Sequence, residues 1–112
     1  MNRLDVPGVI IYRIDHQPFS TTRQILMFFK RELSARHLID DGFLDSVFER
    51  ENVASTAFGS LVAIPHPVMP KTEETFLSFC TLDKPVRWGE RHVQLVCLLN
   101  VKKQHQRSSG EV

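Results

Sequence analysis

The chain has 112 residues, 42% of them hydrophobic and 24% charged, with a formal net charge of +1. That length holds one domain around one core, with no room for a second domain of ordinary size. The near-neutral balance offers neither a basic footprint for nucleic acid nor a polybasic patch for a membrane surface. No apolar run reaches the length of a membrane span, and residues 1–5 lack the apolar centre of a secretory signal. Cys80 and Cys97 each sit in an apolar, strand-like run and read as free buried thiols, so a cytoplasmic setting is expected.

Residues 9–14 (VIIYRI) are rich in β-branched side chains and predict a first strand. Thr21 with Gln24 three residues on fits a capping box, so a helix is expected from Thr21 to about His37. Ile25, Leu26, Phe28, Phe29 and Leu33 give it an apolar face. Asp40 or Asp41 is the expected cap of a second helix, whose apolar positions are Phe43, Leu44, Val47 and Phe48 and whose end carries Arg50. Residues 52–60 read as a loop. Residues 61–64 then form a short inner strand between Gly59 and Pro65, and residues 68–72 a second loop.

Residues 75–82 alternate in part and predict a strand, and residues 83–91, with Pro85, Trp88 and Gly89, a turn. Residues 92–101 are apolar at their centre on both faces, which predicts an interior strand with helices on both sides. The order is β-α-α-β-β-β. The expected class is α/β, a mixed sheet sandwiched by helices, with residues 1–101 as the domain and 102–112 as a polar, mobile tail. Four strands need two covered faces, yet only two helices are visible; either one face is bare or, as is expected here, the natural protein continues beyond Val112 with further helices.

His66 is the residue with most chemical promise. It ends the apolar run at the rim of the sheet, where open α/β folds place their sites. Pro65 and Pro67 restrict the backbone on both sides of it. A histidine can relay protons, ligate a metal or carry a phosphoryl group. The five histidines show no H-x-x-x-H spacing and the cysteines no C-x-x-C, so no metal or other cofactor is called for. Ser60 lacks the second glycine of a nucleophile elbow, and no G-x-x-x-x-G-K-[ST] loop exists. A phosphoryl group on imidazole would need donors and a cation nearby; Arg50 could give a planar fork, and Ser55 and Thr56 hydroxyls.

Arg50-Glu51, Ser55-Thr56, Gly59 and Ala63-Ile64-Pro65-His66 together resemble the active-site stretch of fructose/mannitol-type enzyme IIA domains of the bacterial sugar phosphotransferase system (PTS). The resemblance covers most of the chain, from the Thr21 helix to about Val101. Pro67 after the histidine, and Leu82-Asp83-Lys84-Pro85-Val86-Arg87-Trp88-Gly89, resemble more narrowly the C-terminal IIA-like domain of BglG/LicR/MtlR-type transcriptional regulators.

The resemblance implies that His66 accepts a phosphoryl group, that Arg50 steadies it, and that Ser55 and Thr56 shape the pocket. It also implies a second histidine near the nucleophile, for which His105 stands closest. The implied partners are HPr as donor and a IIB domain or other regulator domains, without membrane or direct nucleic-acid contact by this domain. The competing expectation is an interaction module that keeps the fold without phosphoryl transfer.

Overall fold

Among the described residues, hydrogen bonding joins six strands into one sheet, in the order β1-β2-β5-β6-β4-β3. The structure, a computed structural model, describes residues 1–70 and 72–103. The strands are β1 (Asn2–Val6), β2 (Val9–Gln17), β3 (Ala57–Phe58), β4 (Leu61–Ala63), β5 (Phe76–Trp88) and β6 (Arg91–Asn100); the helices are α1 (Thr22–Ala35) and α2 (Phe43–Val53). Pairing is antiparallel in β1–β2, β5–β6 and β3–β4, and parallel in β2–β5 and β4–β6. The expected mixed α/β sheet is therefore present.

The capping box forms as the sequence predicts: Gln24 N–H donates to Thr21 Oγ1 at 3.1 Å, and Thr21 N–H to Gln24 Oε1 at 3.2 Å. Helix α2 departs from expectation. Its N-cap is Gly42, without a side-chain bond, while Asp40 shapes the preceding turn by accepting from Gly42 N–H at 3.0 Å.

Both helices lie on the face that carries Tyr12 and Phe76. The Arg36 guanidinium sits 5.0 Å from the Tyr12 ring centre, and the Phe43 and Phe76 rings are 5.7 Å apart. Phe29, Leu33, Phe43, Val47, Phe76, Val96 and Leu98 are buried between the layers. Burying such side chains stabilises the fold by about 1.5–3 kcal/mol each.

The opposite face carries the other half of the apolar pattern of the last strand. Burial along β5 alternates strictly from Phe76 to Leu82, and β6 alternates from Val96 to Asn100. The intermediate positions, among them Leu77, Phe79, Leu95 and Leu99, point away from both helices, and no helix of the described residues covers them. A groove of about 670 Å³ crosses this face, lined in part by Leu4, Ile11, Arg13, Phe79 and Leu95. None of its lining residues belongs to the His66 segment.

Three further departures concern strands. Residues 2–6 pair with β2 across Pro7-Gly8, where Gly8 takes φ +82°. Residues 57–58, expected in a loop, make the outer strand beside β4. The expected turn at 83–91 is mostly strand: β5 continues past Pro85 to Trp88 by way of an irregularity between Thr81 and Val86, and only Gly89 and Glu90 turn the chain. A bulge is where a sheet tolerates proline. The first residues of the expected tail are held against the preceding loop, with Lys102 N–H on Thr75 Oγ1 at 2.9 Å and Lys103 N–H on Thr72 O at 2.6 Å.

Candidate functional site

The shortness of β4 places His66 at the edge of the sheet. Apolar residues at 61–63 extend beside β6, and Pro65, with no N–H to offer, ends the ladder. The segment that follows is held from three sides. Ile64 N–H donates to Thr56 O at 3.1 Å, Leu99 N–H to Pro65 O at 3.0 Å, and Val68 N–H to Ser46 Oγ on α2 at 2.9 Å. Pro65 and Pro67 are buried, whereas the imidazole between them is half-buried and so reachable.

The ring is oriented by its own chain. His66 Nδ1 lies 2.9 Å from Ile64 O. A carbonyl oxygen can only accept, so in the neutral ring this contact puts the proton on Nδ1 and leaves the Nε2 lone pair free. A nucleophilic nitrogen is thus presented from a rigid backbone frame.

The other expected residues are placed less directly. Arg50 is in the last turn of α2, where its charge favours the negative end of the helix. Its Nη1 donates to Ala54 O at 2.7 Å, and among the described residues it makes no hydrogen bond to His66. Ser55 stitches the site to the β5–β6 turn: its Oγ donates to Trp88 O at 3.4 Å and accepts from Ala57 N–H at 3.1 Å. Thr56 is buried and bonded to Glu51. His105 lies outside the described residues.

Two contributors escaped the sequence reading. Glu51 stands in the Arg50-Glu51 pair, but its task was not evident: Oε2 accepts from Thr56 N–H at 3.1 Å and from Trp88 Nε1–H at 3.2 Å, while Oε1 accepts the Thr56 hydroxyl. Ser46 is the clamp on Val68. The available signal for Ser46 was a polar residue amid the apolar positions Phe43, Leu44 and Val47 of one helix. Trp88, expected within a turn, is only 1% exposed and gives its indole N–H to that carboxylate.

Among the described residues, a half-buried histidine at the rim of a six-stranded mixed sheet, backed on one face by two helices, defines an α/β domain with a candidate site at the strand ends. In the E. coli complex of enzyme IIAMTL with phosphorylated enzyme IIBMTL, a chain shares this fold with a TM-score of 0.73. The match covers 91% of this chain and 72% of that one, at 18% identity.

The family described as "Phosphoenolpyruvate-dependent sugar phosphotransferase system, EIIA 2" matches residues 12–109, and the chain belongs to it. It is 44% identical over 82 residues to the "Probable licABCH operon regulator" of Bacillus subtilis, covering 73% of this chain and 13% of that protein. It is 29% identical over 104 residues to "Transcriptional regulator ManR" of the same species, covering 80% of this chain and 16% of that protein. The chain thus spans under one fifth of the length of these regulators.

Proposed function

We propose that this domain is a histidine phosphoryl carrier, with residues 1–101 as the functional unit and His66 Nε2 as the acceptor atom. The observation that carries the reading is the His66 Nδ1 contact with Ile64 O, which leaves Nε2 as the free nucleophile on a half-buried ring. In the transfer, the N–P bond of a donor phosphohistidine breaks and an N–P bond to Nε2 forms. The donor imidazole keeps the electron pair. The proton on His66 Nδ1 stays, and as the ring acquires positive charge its bond to Ile64 O becomes charge-assisted and stronger. Such a step asks the protein for alignment and charge balance, and no metal enters it.

Arg50 supplies the charge balance in this reading. Its present bond to Ala54 O is to a neutral carbonyl. A phosphoryl group on Nε2 would offer the guanidinium a stronger, charged acceptor. Ser55 and Thr56 act as pocket-shaping residues through the bonds already described. HPr is the donor, met in the cytoplasm; no helix of the described residues is long and apolar enough to cross a membrane. The similarity to an operon regulator and a transcriptional regulator favours a regulatory destination, in which phosphorylation of His66 switches the activity of a longer regulator.

The test is incubation with phosphoenolpyruvate, enzyme I and HPr, followed by intact mass. One phosphoryl group on the wild type and none on His66→Ala is the expected outcome. Arg50→Gln should accept the group at least tenfold more slowly, because one charge-assisted contact is worth about 1.5–3 kcal/mol. An unmodified wild type would leave an interaction module as the surviving account.

A further inference from the structure

Hydrogen bonds, joined through the backbones of Thr56 and Ile64, run from the end of β5 to the candidate nucleophile. Trp88 Nε1–H donates to Glu51 Oε2 at 3.2 Å, and the same oxygen accepts Thr56 N–H at 3.1 Å. The Thr56 hydroxyl donates to Glu51 Oε1. Thr56 O then accepts Ile64 N–H at 3.1 Å, and Ile64 O holds His66 Nδ1 at 2.9 Å. The links pass through β5, the end of α2, the residue before β3, the residue after β4 and the imidazole itself. Trp88 is 1% exposed and Thr56 8%, so both ends of the carboxylate's grip are anchored in the core.

We infer that Glu51 is the positioning residue for His66: it fixes Thr56, Thr56 fixes Ile64, and Ile64 fixes the ring's tautomer and aim. The inference rests on His66 being the phosphoryl acceptor. Glu51 does this through the reach and direction of its hydrogen bonds, without a demand for its charge. Three donor groups converge on the carboxylate, but the Thr56 hydroxyl can rotate and accept instead. A glutamine would therefore satisfy the same partners, with its oxygen facing Trp88 Nε1–H and Thr56 N–H and its amide nitrogen donating to Thr56 Oγ1. An aspartate keeps the charge but retracts it by one methylene, out of reach of Trp88 and Thr56 together.

The paired variants Glu51→Gln and Glu51→Asp test this, with two readouts on protein confirmed folded. Imidazole ¹⁵N shifts of His66 report which ring nitrogen carries the proton, whether or not phosphoryl transfer occurs. Phosphorylation by phospho-HPr then reports the rate. Glu51→Gln should keep the wild-type tautomer and a rate within about threefold. Glu51→Asp should mix the two tautomers and lose about 10- to 100-fold in rate, the usual scale for a misplaced reacting group. Any other pattern, including two wild-type variants or a harmed Gln beside an intact Asp, overturns the inference. If the wild type takes no phosphoryl group but the tautomers follow the expected pattern, the carrier reading fails while the positioning role stands.

Discussion

Leu61 offers a sign test of how the chain is steered toward His66. It takes φ +69° in the three-residue link between Phe58 and Val62, a left-handed conformation that costs an ordinary L-residue about 1–2 kcal/mol. Leu61 is 47% exposed, so about half of the 1.5–3 kcal/mol that full burial gives is at stake when it is truncated. Leu61→Ala loses that contribution, roughly 1 kcal/mol, and keeps the strain. Leu61→Gly loses the same contact and a further 0.5–1 kcal/mol or so of chain entropy, but sheds the strain. The glycine variant should therefore be more stable than the alanine variant by about 0.5–1 kcal/mol, the reverse of the order at an ordinary strand position. Urea unfolding measures this directly: with a slope near 1.5 kcal/mol/M the midpoints should differ by about half a molar, with equal slopes. A glycine variant at or below alanine would refute the left-handed geometry and, with it, the account of how β4 leaves the hairpin.

Three other outcomes follow from particular contacts. The hydrogen bond from Arg13, and secondarily that from Thr81, holds the Asp15 carboxyl below its ordinary value of 3.8. A depressed carboxyl stabilises the fold above pH 3.8 and loses that contribution as pH falls through the lower folded value, so Asp15→Asn should flatten the acid limb of urea-midpoint profiles below pH 3.8; an unchanged limb would contradict the pairing. Burial pushes the Cys80 thiol up to about 12 and the Cys97 thiol to about 11. At pH 8 their thiolate fractions are about 10⁻⁴ and 10⁻³, so iodoacetamide should label the folded protein far more slowly than the urea-unfolded chain, with equal rates contradicting burial. Gly89 has φ +63°, and a Cβ there would stand 2.8 Å from Ser55 Cβ and Oγ. Gly89→Ala should lower stability by more than 1 kcal/mol in urea unfolding and disturb Ser55, and a variant as stable as wild type would show that this contact yields freely.

The parts of the fold legible in the sequence were those with a strong local pattern. The capping box and the five apolar positions of α1 left little choice, and β-branched runs marked the β2 and β6 segments. What escaped depends on pairing. Residues 2–6 are exposed throughout and carry no burial signal, so only their ladder with β2 makes them a strand. Pro85 and Gly89 read as a turn, yet a sheet irregularity absorbs the proline and lets β5 run on to Trp88. The apolar centre of β6 suggested cover on both sides; among the described residues helices meet only one side, and the row of Leu95, Cys97 and Leu99 lies on the other.

At the site, His66 was legible because a short apolar run between glycine and proline must end at a rim. Its tautomer was not legible, because that depends on the distance from the ring to a carbonyl two residues back. Glu51 and Ser46 were hidden for a related reason: each acts on residues that only the fold brings near. Arg50 was expected as a partner of the histidine and is found capping its own helix end.

The most direct measurement is NMR of the domain after reaction with phospho-HPr, with ³¹P and imidazole ¹⁵N resonances assigned to the ring. One phosphoryl group on His66 Nε2, with Nδ1 retaining its proton, is the predicted result. A phosphoryl group on Nδ1, on another residue, or none at all would contradict the account.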